Sequence, residues 1–409
     1  MIKRGISSFN GKRILLLQGP LGPFFQRLAR DLEWAGAKVC KVNFNGGDWL
    51  FFRRGIPFYG HMNEWPAFFE KLLTEREIDI VLLFGDCRPL HRVAHEIATQ
   101  RGVEIGVFEE GYVRPDFITF EQYGVNFNSP LSEITEGYQL IPSLPPIEAE
   151  PVGKTIWYAA LWSILYYLAA TLLYPIFPHY RHHRPLHLIE GLIWCRSIWR
   201  KGYYALKESR LEKKLACPPF PDNFFLVPLQ VHNDAQVSIH SQFDSVKDFI
   251  CDTIASFAAH APPETFLVIK HHPMDRGYHD YNRIIRQCSR QHKVRRRVFY
   301  LHDQHLPTLL QNARGVVVIN STVGLSSLHH NTPVKVCGRA LFDLPGLTFQ
   351  GSLDSFWREA SEYQIDREFY KRFRAYMIEH SQLNGSFYKR LNVPGSYSGL
   401  HWVVQGKKD

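Results

Sequence analysis

The sequence runs to 409 residues, long enough for two domains of ordinary size. Its 21% charged and 45% apolar residues are the balance of a folded globular protein and exclude global disorder. A net charge of +9, 20 histidines and 14% aromatics suit a partner that is anionic, amphipathic or both. Nucleic acid would answer the charge alone; the aromatic content fits a membrane surface better, and no nucleic acid partner is expected.

Seven cysteines (Cys40, Cys87, Cys195, Cys217, Cys251, Cys288, Cys337) are scattered and never form a Cys-x-x-Cys pair. That favours a reducing compartment over a disulfide framework or a zinc site. Met1 to Gly5 leads into a strand and not into a signal-peptide core, so a cytosolic chain is expected.

Arg13–Gln18 reads as an apolar strand and Gly19–Pro23 as a tight turn. Phe25, Leu28 and Leu32 give Phe24–Trp34 a helical spacing, closed by Gly36. With Lys38–Asn43 as the next strand this is a βαβ unit of Rossmann type. It lacks Gly-x-Gly-x-x-Gly, so a nicotinamide enzyme is poorly supported. Ile78–Phe84 is a third parallel strand, ended by Gly85 and Asp86, and Leu90–Gln100 is the helix after it.

Glu104–Phe108 then reads as a buried parallel strand. Glu109 and Glu110 stand at its C-terminal end, where open α/β sheets place their ligands, and Gly111 turns the chain at once. Adjacent carboxylates repel, so one of the two is expected to titrate nearer neutrality, as a general acid or base requires. Alone, Glu-Glu-Gly reads more often as two solvated loop glutamates. Its company further along the chain argues for a site.

The alternation makes residues 1–145 one α/β domain, followed by a proline-rich linker over 142–151. Residues 156–178 carry no charge in 23 positions, a membrane-spanning candidate by length. Six aromatics fall within Trp157–Tyr174, and Arg181, Arg184 and the apolar piece Leu186–Trp194 follow, as at a membrane–water interface. The alternative is a buried helical hairpin.

From Phe224 the strands resume: Phe224–Leu229, Thr265–Lys270, Val298–Leu301, Gly315–Asn320 and Pro333–Cys337, with a helix beginning near Ser245. Leu353–Leu391 reads as mostly helical and amphipathic. Polar residues collect at the strand ends: His232, Asn233 and Asp234; His271, His272 and Pro273; Ser321 and Thr322. An active-site cleft between two α/β domains needs such clusters. Ser321 and Thr322, entering a helix, offer hydroxyls and backbone N–H groups to a phosphate.

The segments Phe108–Arg114, Gln230–Asp234, Val268–Pro273 and Asn320–Gly324, with Thr332–Val334, together resemble a known family. The order of a paired-acid-plus-Gly, a His-Pro and a Ser-Ser/Thr motif is similar to bacterial sialyltransferases. The fuller match is to capsule polysaccharide β-Kdo transferases of the KpsS/LipB type, related to KpsC. The resemblance covers most of residues 12–345 and is least informative over 145–220.

It implies a GT-B-like α/β architecture, two Rossmann-type domains facing a central cleft with an apolar helical insert between them. The domains would be 1–145 (acceptor side), 146–220 (linker and membrane-associating insert), 221–350 (CMP-sugar binding) and 351–409 (C-terminal helices). It implies CMP-Kdo as donor, a phospholipid acceptor of the phosphatidylglycerol type, and retention through a covalent Kdo–aspartate adduct. The adduct-forming aspartate maps onto Asp234. The acid–acid–Gly pair maps onto Glu109 and onto Glu110, which stands where KpsC-type modules carry Asp. Leu229 stands where those modules have another Asp, whose role does not transfer. Other capsule assembly proteins, such as a KpsC-type enzyme, are implied as partners.

The chemistry is coherent by itself. CMP leaves through one phosphate, so no diphosphate-bridging metal and no Asp-x-Asp cluster are required. No cofactor and no metal ligands are expected. His272, Ser321, Thr322 and Lys270 would balance the phosphate, with Gln230, Asn233 and Arg114 as further substrate contacts. Asp234 would be the nucleophile, and Glu110 the first choice for the base, with Glu109 close behind. The alternatives are a non-catalytic export or assembly component, and a GT-B enzyme using another nucleotide sugar.

One crossing by residues 156–178 would put Glu110 and Asp234 on opposite sides of a membrane, and Leu186–Trp194 is too short to cross back. The segment is therefore expected to lie in or on the membrane plane, with Arg181 and Arg184 on anionic lipid, at the cytoplasmic face of the inner membrane.

Overall fold

The computed structural model describes residues 5–131, 141, 144–145, 147–180, 189–209, 215, 217, 220–232, 237 and 240–402. The chain divides into two compact units, Met1–His187 with Arg372–Asp409, and Leu188–Lys371. Both are α/β, and each is built on a mainly parallel sheet.

In the first unit, strands β1 (Arg13–Leu16), β2 (Lys38–Asn43), β3 (Ile56–Pro57), β4 (Ile80–Phe84) and β5 (Glu104–Glu110) run parallel. Helices α1 (Phe24–Trp34), α2 (Gly46–Phe51), α3 (Trp65–Glu75) and α4 (Pro89–Gln100) connect them. Strand β6 (Phe117–Gln122) turns back antiparallel on β5. β4 is buried along its whole length, which is why its sequence is a continuous apolar run and not an alternation.

Helix α5 (Ile156–Leu172) lies in this unit, and α6 (Ile189–Lys207) begins the second. There β7 (Phe224–Pro228), β8 (Phe266–Lys270), β9 (Val298–Leu301), β10 (Gly315–Val318) and β11 (Val334–Val336) form an all-parallel sheet in the order β11-β10-β7-β8-β9. Helices α7 (Val246–His260), α8 (Asn282–Gln291), α9 (Leu306–Asn312), α10 (Val323–His329) and α11 (Leu353–Glu359) complete it. Ser245 caps α7 through the N–H of Asp248. The core sets Phe225, Val227, Ile269 and Val317 of the sheet against Phe249, Ile254, Phe356 and Trp357.

Residues read from the sequence as C-terminal helices divide between the units. Helix α12 (Arg367–Ser381) leads straight into β12 (Gln382–Asn384), which pairs antiparallel with β6. The first sheet therefore has the order β12-β6-β5-β4-β1-β2-β3. Phe387, just past β12, meets Phe24 edge-on at 4.8 Å, and Phe108 stacks on Phe120 at 4.3 Å. Each such ring contributes on the order of 2–3 kcal/mol by burial, so the returning chain is integral to the core it closes.

Candidate active site

The last two residues of β5 are Glu109 and Glu110, registered against Thr119 and Ile118 of β6. Gly111 follows because nothing larger fits. A Cβ there would lie 2.0 Å from the Phe117 carbonyl oxygen, so only glycine lets the β5–β6 connection close this tightly.

Successive strand residues face opposite ways, and the two carboxylates have different surroundings. Glu109 accepts from the Glu110 N–H at 2.9 Å, and its other oxygen lies against Gly85. A Cβ on Gly85 would come within 3.3 Å of that oxygen, and its φ of +73° also favours glycine. Burial pushes the Glu109 carboxyl up to about 7; the Glu110 charge adds to this, and the Glu110 N–H opposes it. Neutral-range titration was expected from repulsion. It arises mainly from desolvation.

Glu110 accepts from the Tyr388 hydroxyl at 2.9 Å. Burial, and then the Glu110 charge, holds that phenol well above its ordinary range, so it stays a donor. Arg114 is exposed and donates through Nε to the Gly111 carbonyl at 2.9 Å.

In the second unit the polar residues stand at the C-terminal ends of adjacent strands. Gln230, past β7, donates to the Asn320 side chain past β10 at 2.9 Å. Lys270 ends β8; burial lowers its ammonium, while the charges of Asp303 and Arg276 act in opposite senses. His271 is buried with Nδ1 on the Tyr300 hydroxyl at 2.7 Å, and burial pushes it down to about 4. Nδ1 of His272 accepts the Met274 N–H at 3.2 Å and so caps the turn Pro273–Asp275. Ser321 and Thr322 are half-buried at the start of α10, where the Ser321 hydroxyl accepts the Val323 N–H at 3.3 Å. Asn233 and Asp234 lie outside the described residues, as do Arg181 and Arg184. Among the described residues no three His, Cys, Asp or Glu side chains converge as a metal-binding set.

The family described as capsule polysaccharide biosynthesis protein matches residues 79–388. The chain belongs to this family. Relatives of this capsule polysaccharide biosynthesis protein include the capsule polysaccharide export protein KpsS of Escherichia coli. It is 39% identical over 382 residues, covering 93% of this chain and 97% of the relative. The capsule polysaccharide modification protein LipB of Neisseria meningitidis serogroup A is 40% identical over 395 residues, covering 94% of each. Among solved structures, the KpsC beta Kdo 2,7 transferase of Thermosulfurimonas dismutans aligns over 94% of each chain with a TM-score of 0.45 and 14% identity.

Sequence reasoning missed two site neighbours of this family member. Tyr388 reaches Glu110 across 278 residues. Asp275 lies three residues past His272, and it could have been found as the acid that a His-Pro turn carries in its first turn.

The apolar segment is also resolved into parts. The inner side of α5 is anchored: Tyr166 accepts from Asn45 at 2.8 Å and donates to Asp48 at 3.2 Å, and Trp162 Nε1 donates to the Tyr388 carbonyl at 3.0 Å. Its outer side is apolar yet open, with Trp157 80%, Leu168 53% and Leu172 68% exposed. Among the described residues no helix is long and apolar enough to cross a membrane.

Proposed function

We propose that this capsule polysaccharide biosynthesis protein is a glycosyltransferase that moves Kdo from CMP-Kdo to a phospholipid of the phosphatidylglycerol type. The β configuration is retained, and the product begins the poly-Kdo linker of a capsular polysaccharide. The observation that carries the reading is Glu109: a carboxyl held near 7 at the C-terminal end of a parallel strand is poised to take a proton from a hydroxyl at cellular pH.

The residues divide the work as follows. The Asp234 carboxylate attacks the anomeric carbon; the bond to the phosphate oxygen breaks and its electron pair leaves with CMP. Glu109 then takes the proton of the acceptor hydroxyl, whose oxygen displaces Asp234, and two inversions give retention. This order of the glutamates reverses the sequence-based preference, because Glu109 is the one that desolvation holds near neutrality. Glu110, held by Tyr388, orients the acceptor. His272, Ser321, Thr322 and Lys270 balance the phosphate, with Gln230, Asn233 and Arg114 as further contacts. A single-phosphate leaving group asks for no metal bridge.

The open apolar side of α5 supports a peripheral position on the cytoplasmic face of the inner membrane, where the acceptor lipid lies. The exposed Arg283, Arg286 and Arg290 of α8 suit an anionic lipid surface. A KpsC-type enzyme would act next on the product.

The test is release of CMP from CMP-Kdo by the full chain with phosphatidylglycerol vesicles, followed by mass spectrometry of the lipid. Kdo-bearing lipid supports the reading. No CMP release, with CMP-Kdo still bound, would instead support a non-catalytic role of the kind that the name of the E. coli relative, an export protein, suggests.

A further inference from the structure

We propose that His232 and Asp275 form a proton-donating dyad of the second unit: Nε2 of His232 meets the phosphate of the sugar nucleotide and gives it a proton as the sugar departs. The proposal rests on the reading of the protein as a CMP-sugar transferase.

Asp275 anchors it. Its side chain is fully buried. One oxygen accepts from the His232 backbone N–H and from the Tyr281 hydroxyl, each at 3.2 Å, and the other is in close contact with Nδ1 of His232. A buried carboxylate survives only where donors and a partner offset its lost hydration. Here the partner is one imidazole, gripped at both its ring and its backbone.

That grip fixes the tautomer. With Nδ1 committed to Asp275, Nε2 is the atom left for chemistry. The His232 side chain remains 26% exposed, and among the described residues Nε2 has no hydrogen-bond partner. The groups flanking the ring are His279, at 4.1 Å between centroids, and Tyr278, at 5.5 Å; Lys247 acts on His279. The dyad ties the chain after β7 to the chain after β8, two adjacent inner strands of the sheet, at the end where ligands of such sheets bind.

The chemistry requires such a group. The donor's phosphate is a diester with one negative charge. When its bond to the anomeric carbon breaks, the electron pair stays on the phosphate oxygen and the product is a monoester with two. A phosphate monoester dianion takes up one proton near pH 6, close to the ordinary range of imidazole. Transfer of the Nε2 proton to that oxygen cancels the new charge, and the ring regains a proton from solvent before the next turnover.

The experiment uses the full chain, His232→Ala and Asp275→Asn, with CMP release followed in the presence and absence of imidazole. Calorimetry with CMP and ¹⁵N-histidine NMR of the parent protein accompany it. His232→Ala should lose on the order of 10²-fold in kcat and regain part of it with added imidazole. Asp275→Asn should lose less and gain nothing from imidazole. The His232 ring signal, assigned by its absence in the variant, should move when CMP is added. A ring signal indifferent to CMP overturns the dyad, and so does a His232→Ala rate within twofold of the parent. If the parent releases no CMP from CMP-Kdo, it is the transferase reading that fails, and the ring signal alone then decides whether His232 meets a nucleotide phosphate.

Discussion

Replacing Glu109 by Gln separates stability from activity. In the folded protein its carboxyl is raised from 4.5 to about 7. A shift of that size corresponds to about 3 kcal/mol favouring the protonated form. The sign follows: the fold tolerates the neutral acid and resists the charged one. Relative to the unfolded chain, stability is fully retained below about 4.5 and is lost as pH rises through about 7. Glutamine keeps the shape and removes the charge. Glu109→Gln should therefore unfold at higher denaturant than the parent at pH 8, by up to about 3 kcal/mol, and should lose that advantage at pH 4.5. Turnover should move the opposite way, falling about 10²–10⁴-fold as for a lost general base. In the parent, kcat/KM should rise with pH through about 7 as the base ionises. Urea melts at both pH values and a CMP-release assay measure the two effects. A variant that is no more stable at pH 8 and turns over normally would refute the reasoning.

Asp234→Ala should abolish turnover by several orders of magnitude. Intact-protein mass spectrometry with CMP-Kdo should show a Kdo adduct on the parent and none on the variant; an adduct that persists in the variant assigns the nucleophile elsewhere. His272→Ala should weaken CMP binding in calorimetry, and unchanged affinity would reduce the residue to the cap of its turn. Tyr166→Phe should cost about 1–3 kcal/mol, because Asn45 and Asp48 lose a buried partner. Serine at Trp157, Leu161 and Leu168, all exposed, should leave the melting temperature unchanged and reduce flotation with anionic vesicles. Undiminished flotation would clear that face of any lipid role.

What the sequence made legible was what depends on local pattern. β2 and β9 coincide with the strands read from the sequence, and α1 with its periodicity, because burial imprints the chain at the spacing of each element. β6 escaped notice because Thr119 and Glu121, both buried, interrupt the apolar run that full burial would otherwise leave in the sequence. β12 is three residues long, and its place is set by a partner strand more than 250 residues earlier. The carboxylate pair was legible, but the different surroundings of its two members were not. Which glutamate is desolvated depends on how closely Gly85, arriving from β4, approaches Glu109. The strand-end positions of Gln230, Lys270, His272 and Ser321 followed from the alternation of elements. Asp275 did not, because only the folded turn brings it beneath His232.

The discontinuity of the first unit bears on when the protein becomes competent during synthesis. Residues 188–371 are a continuous stretch inserted within a unit that only the residues from 372 onward complete. On the ribosome the N-terminal part of the first sheet emerges early, with β6 as a bare edge and Glu110 without its tyrosine. The inserted unit has its whole sequence available before the surrounding one can close. The carboxylate pair thus acquires its final surroundings only when β12, Phe387 and Tyr388 dock, after the whole of the second unit has been made. A nascent or truncated chain would hold a recognisable second unit and an unfinished first one, in which Glu110 still lacks its tyrosine.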